Sequence, residues 1–186
     1  MTDSETKIIT RKLRYSGPAF EVYRYKAEVA GRTVTREIIE QKHGVVAVPI
    51  DVDGNVILLS EYCAGSNSFI LSLPGGKTDL IDVNKMASEA MRELREETGF
   101  RAQQMIKLRF AWSHPSTSNR RSHVFLAYDL VWDPLPESSN EIIRTIKVPL
   151  NEAIENSYAD FASDVSTIGN LLMARDKLRN LGHFVG

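Results

Sequence analysis

Glu93, Glu96 and Glu97 place three carboxylates within five consecutive positions, Arg92 stands immediately before them, and the run closes on Gly99. On a helix, where each residue advances by about 100°, Glu89, Glu93, Glu96 and Glu97 share one arc, while Ala87, Ala90, Met91 and Leu94 fill the neighbouring one. Like charges one turn apart weaken an isolated helix by a few tenths of a kcal/mol per pair, so this stacking gains the helix nothing. A hard divalent cation reverses the sign. Mg2+ prefers oxygen ligands in near-octahedral geometry, keeps several waters and is commonly completed by substrate phosphates. The acidic arc has the donors for one such ion or two, with positions left for a diphosphate. The plainer alternative is a solvated acidic face.

The neighbouring residues weigh against that alternative. Gly99 occupies the place of a helix C′ residue, and Leu73-Pro74-Gly75-Gly76 reads as a strand ending in a sharp turn where backbone can approach a ligand. Strand, glycine loop and acidic helix form one unit.

That unit resembles the signature of the Nudix hydrolase family, Gly-x5-Glu-x7-Arg-Glu-U-x-Glu-Glu-x-Gly-U with U apolar. The second half matches throughout, on Arg92, Glu93, Leu94, Glu96, Glu97, Gly99 and Phe100. The first half departs: counted from Gly76 the early acid is Asp82, and nine residues rather than seven separate it from Arg92, as a two-residue insertion ahead of the helix would produce. Upstream, Thr35–Glu40, His43–Ile50, Val56–Leu59 and Glu61-Tyr62 resemble the strands that lead into the box in ADP-ribose and nucleoside diphosphate sugar hydrolases. The run from Glu61 to Phe69 is nearest the ADP compounds hydrolase branch, with Cys63 where an arginine for substrate phosphate is common.

The resemblance implies Glu93 and Glu97 as principal ligands for Mg2+, with Mn2+ as a substitute, Glu96 as a further ligand or water orienter, and the Gly75 carbonyl as a backbone ligand. Arg92 would hold the carboxylates by salt bridge rather than touch substrate. Val148-Pro149-Leu150 fixes the register of the late loop that carries the general base in this branch, which makes Glu141 the matching acid and Glu137 the fallback. Arg36 and Glu37 fall where a nucleobase is gripped, against the plainer reading of an exposed cross-strand ion pair, and Phe20 is available for the other ring face. Arg120 and Arg121 lie in a loop that departs from the branch pattern and adds cations near phosphate or sugar. The expected partners are a small-molecule nucleotide and, from the family's use of its N-terminal strands, a second copy of the chain in a homodimer. The implied reaction is hydrolysis of a nucleoside diphosphate linked to another moiety; a catalytically silent nucleotide-sugar sensor is the competing reading.

A net charge of −1 over 186 residues gives no broad basic field for nucleic acid. The one cysteine cannot form an intramolecular disulfide, and Met1 to Lys7 contain no apolar leader, so a cytoplasmic protein without a membrane span is expected.

The positioning elements follow from pattern. Phe20–Val29 and Thr33–Ile39 read as a hairpin turning at Ala30-Gly31-Arg32, and Val45–Ile50, Val56–Ser60, Phe69–Leu73, Met105–Trp112, Val124–Val131 and Ile142–Val148 as further strands. Leu150–Asn156 and Ser163–Leu181 read as helices, the second burying Val165, Ile168, Leu171, Leu172, Met173 and Leu178. The expected architecture is α/β, an α/β/α sandwich over residues 44–186, preceded by a small β-rich subdomain, residues 1–43, for dimerisation and base binding.

Overall fold

The computed structural model describes residues 6–79, 82–136, 142–158 and 164–183. They cluster into two compact units, Met1–His43 with Ala111–Ser122, and Gly44–Phe110 with His123–Gly186. The inclusion of Ala111–Ser122 in the first unit differs from a single boundary after residue 43.

In the first unit, β1 (Thr6–Ser16), β2 (Glu21–Val29) and β3 (Arg32–Glu40) form an antiparallel sheet in that order. β2 and β3 meet through Ala30 and Gly31, both at positive φ, the backbone that a two-residue hairpin turn demands. β1 is exposed along its whole length, and its register slips twice against β2, at Ile8/Thr10 and Leu13/Tyr15. Irregularities of this kind blunt an open edge. Residues 111–122 join β3, where Ile39 N–H donates to the Thr117 carbonyl at 2.8 Å and its own carbonyl accepts from Asn119 N–H at 3.1 Å.

The second unit is built around a four-stranded sheet ordered β7 (Gly75–Thr78), β4 (His43–Pro49), β9 (Arg121–Trp132) and β8 (Phe100–Trp112). Alternation along the central strands sorts two cores, because successive side chains point to opposite faces. Val45 and Ala47 of β4 and Phe125 and Ala127 of β9 pack with Met86, Ala90 and Leu94 of α1 (Val83–Thr98). Val48, Val124 and Leu126 pack on the other side with β5 (Asn55–Cys63), α2 (Leu150–Tyr158) and α3 (Val165–Asn180). β5 also forms the centre of a smaller antiparallel sheet, between β10 (Ile143–Pro149) and β6 (Ser68–Ser72). The result is the α/β/α sandwich expected from the sequence.

Two expectations change. α3 buries Thr167, Asn170, Leu171, Ala174 and Leu178, whereas Val165 is exposed and Ile168, Leu172 and Met173 are only half-buried. The buried face includes the polar Thr167 and Asn170 and the small Ala174, so choosing the face by apolar type alone misphased it. Gly75 and Gly76 do not form a sharp turn: the chain bends at Pro74, and both glycines already belong to β7.

Candidate active site

α1 is positioned at both ends by its own sequence. Asp82 caps the start, its carboxylate accepting from Asn84 N–H at 2.8 Å. Gly99 closes the end at φ 77°, its N–H donating to the Arg95 carbonyl at 3.1 Å, and a β-carbon there would overlap the Trp132 ring. Arg95 in turn donates to the Asp133 carbonyl and carboxylate at 2.8 and 3.0 Å. Asp82, the residue nearest to the early acid of the box, is thus used as a helix cap.

With Met86, Ala90, Leu94 and Thr98 buried against the sheet, the adjoining arc brings Glu93 and Glu97 to β7. Gly75 N–H donates to Glu97 Oε2 at 2.9 Å. A β-carbon at Gly76 would fall inside van der Waals contact with the Glu93 carboxylate, and one at Gly75 would overlap the Val45 carbonyl oxygen. The glycines are required here because the strand lies so near the helix carboxylates and the next strand, and neither has positive φ.

Arg92 gathers the remaining carboxylates. Nη1 donates to Glu96 Oε2 at 2.6 Å, Nη2 and Nε donate to Glu89 Oε1 at 2.6 and 3.2 Å, and Nη2 also bonds Glu93 Oε1. These partners hold the guanidinium well above its usual range. Burial pushes the Glu93 carboxyl up, and the nearby Glu96 and Glu89 charges add to that, while Arg92 opposes it. Among the described residues, no three Asp, Glu, His or Cys side chains converge as a ready metal cage. The donor set nevertheless fits a hard cation: carboxylate oxygens on one helix arc beside a strand that only glycine lets approach, with one carboxyl whose charged form burial disfavours and an added cation would favour. Glu89, as the residue gripping Arg92, is the feature that the box pattern did not indicate; its i,i+3 spacing was the available signal.

The predicted base-site residues all fall in the first unit. Arg36 and Glu37 are consecutive in β3 and so project to opposite faces. Arg36 bonds the Thr35 carbonyl at 2.8 Å, and Glu37 accepts from its cross-strand partner Arg24 at 2.7 and 3.1 Å. Phe20 rests against the Tyr15 ring, centroids 5.6 Å apart. The Arg121 guanidinium lies over the Trp112 ring, 4.2 Å from its centroid, while Arg120 N–H bonds Ser118 Oγ at 3.0 Å. Glu141 and Glu137 lie outside the described residues.

No family model matches the chain. Among curated proteins it is 27% identical over 158 residues to an ADP-ribose pyrophosphatase of Bacillus subtilis, covering 83% of this chain and 84% of that one. It is 29% identical over 142 residues to an ADP compounds hydrolase of Escherichia coli, covering 76% and 74%. A solved structure described as that of an ADP compounds hydrolase superposes with a TM-score of 0.85 at 24% identity over 97% of both chains. The chain is similar in sequence to these two hydrolases and similar in fold to the solved structure. The stretch that resembles the Nudix signature coincides with the β7–α1 contact, and the departure in its first half coincides with the Asp82 cap.

Proposed function

We propose that this protein is a Nudix hydrolase, a Mg2+-dependent pyrophosphohydrolase that cleaves the diphosphate linkage of nucleoside diphosphate-X compounds to a nucleoside monophosphate and X-phosphate. ADP-ribose and other ADP compounds lead, and nucleotide sugars follow. The observation that carries the reading is the seating of Glu93 and Glu97 against Gly75 and Gly76.

Glu93 and Glu97, with Glu96 and the Gly75 carbonyl, would hold the cation, Mn2+ serving as a substitute. Bound there, the ion supplies neutralising charge for diphosphate oxygens and favours ionisation of water. Arg92 keeps the carboxylates in place, and Glu141 takes the proton of the attacking water, a role that rests on the resemblance of its loop. Arg36, Glu37 and Phe20 would receive the nucleobase, with Arg120 and Arg121 near phosphate or sugar. Since Arg36 and Glu37 face opposite ways on β3, a base site using both draws on a homodimer, the role assigned to residues 1–43 beside the catalytic domain of 44–186. No helix among the described residues is long and apolar enough to cross a membrane, and a cytoplasmic location is the reading we adopt.

The test is chromatography of products formed with Mg2+ from ADP-ribose, NADH, diadenosine triphosphate, GDP-mannose and UDP-glucose. Nucleoside monophosphate from the adenine compounds above all others is the expected result. Equal turnover across bases would move recognition to diphosphate and sugar, and no turnover of any compound would favour the silent sensor.

A further inference from the structure

Arg92 faces more carboxylates than one guanidinium can neutralise. Two of them, Glu93 and Glu96, belong to the proposed cation site; the third, Glu89, lies one turn earlier on α1 and receives both Nε and Nη2. A divalent ion and a guanidinium seek the same carboxylates, so a cation entering at Glu93 and Glu96 competes with Arg92, which now bonds one oxygen of each. What Arg92 retains afterwards decides how much that exchange costs. Without another anion it would give up charge-assisted hydrogen bonds or stay and compete. Asp82 is not available as that anion, because its carboxylate is engaged at the helix N-cap.

We propose that Glu89 is a positioning residue for the cation site: it anchors Arg92 outside the ligand set, so that Glu93 and Glu96 can turn to a divalent ion without leaving the guanidinium unpaired. Glu89 does not touch the ion or the substrate. It acts through Arg92, which distinguishes it from a further ligand and from general negative charge on the helix. This rests on the metal reading given under Proposed function.

The distinction is measurable without turnover. Mn2+ binding to the whole protein, followed by electron paramagnetic resonance of the free ion, is compared for the unaltered chain, Glu89→Gln, Arg92→Gln and the double variant. Glu89→Gln should weaken Mn2+ about five- to tenfold, a loss of about 1–1.4 kcal/mol. With Arg92 already replaced, the same change should cost about twofold or less, the residue of a screened charge. Glu89→Asp, which keeps the anion, should recover part of the loss. Equal losses in both backgrounds would overturn the proposal and make Glu89 a ligand or a diffuse charge, and no loss in either would overturn it outright. If the unaltered chain takes up no Mn2+, the metal reading itself fails, and this inference with it.

Discussion

Glu93 and Asp51 are almost equally covered, their side chains 13% and 14% exposed, yet their carboxyls are driven in opposite directions. Burial works against the charge of both. Asp51, in the turn between β4 and β5, overcomes it with partners of its own: Lys147 Nζ at 2.5 Å, the Asn55 backbone and side chain, and Asp53 N–H, and its carboxyl is held below the usual range. Glu93 must share Arg92 with Glu89 and Glu96, and its carboxyl is pushed up. A carboxylate satisfied by neighbours locks a turn, whereas one left short of positive charge is disfavoured as the anion, a cost that the cation proposed above would offset.

The largest break in this contrast would come from the ligand set. Glu97→Gln should reduce turnover by several orders of magnitude while circular dichroism stays unchanged; retention of more than a tenth of the activity would remove Glu97 from the site. Next come the glycines. An alanine at Gly76 meets only the movable end of Glu93, so turnover should fall by about a hundredfold with little change in melting temperature. At Gly75 the added methyl meets the backbone of β4, so stability itself should fall.

The opposite shifts give a sharper comparison. Near neutral pH, Glu93→Gln should raise the thermal midpoint, since it removes a charge that the fold disfavours, whereas Asp51→Asn should cost about 1 kcal/mol. Because the folded-state Asp51 carboxyl titrates below its ordinary value of about 4, its stabilisation is complete above that value and is lost as pH falls through the lower, folded one. Asp51→Asn should therefore be less acid-sensitive below about pH 4, as midpoints measured across that range would show. A midpoint that falls for both variants would erase the distinction. The smallest effect belongs to the exposed Arg24–Glu37 pair, 47% and 53% exposed. Arg24→Ala should change stability by less than about 1 kcal/mol in denaturant titration.

The acidic helix was legible because charge, apolar phase and the terminal glycine all agreed, and Asp82 needed only the helix start to become a cap. The purpose of Gly75 and Gly76 was harder to read. Backbone freedom and the absence of a β-carbon look alike in a sequence, and the contact with Glu93 and Val45 decides between them. β1 was missed because its charged and apolar residues follow no steady period, and it buries no face. The α3 face was misphased because Thr167 and Asn170 are buried beside Leu171, while Val165 is left in solvent. Glu37 had a visible acidic character, but its partner Arg24 depends on a pairing register set by the hairpin.

Trp132 is 69% exposed, yet its indole is pressed on Gly99 and meets the Phe100 ring edge-on at 5.3 Å. It thereby makes the far end of the acidic helix optically visible: with only two tryptophans in the chain, replacing Trp112 by phenylalanine would leave a single tryptophan, excitable apart from the tyrosines at long wavelength, seated on the residue that terminates α1. Its emission would then follow, without any attached dye, whether loading the carboxylates at one place on the helix is felt where the helix stops.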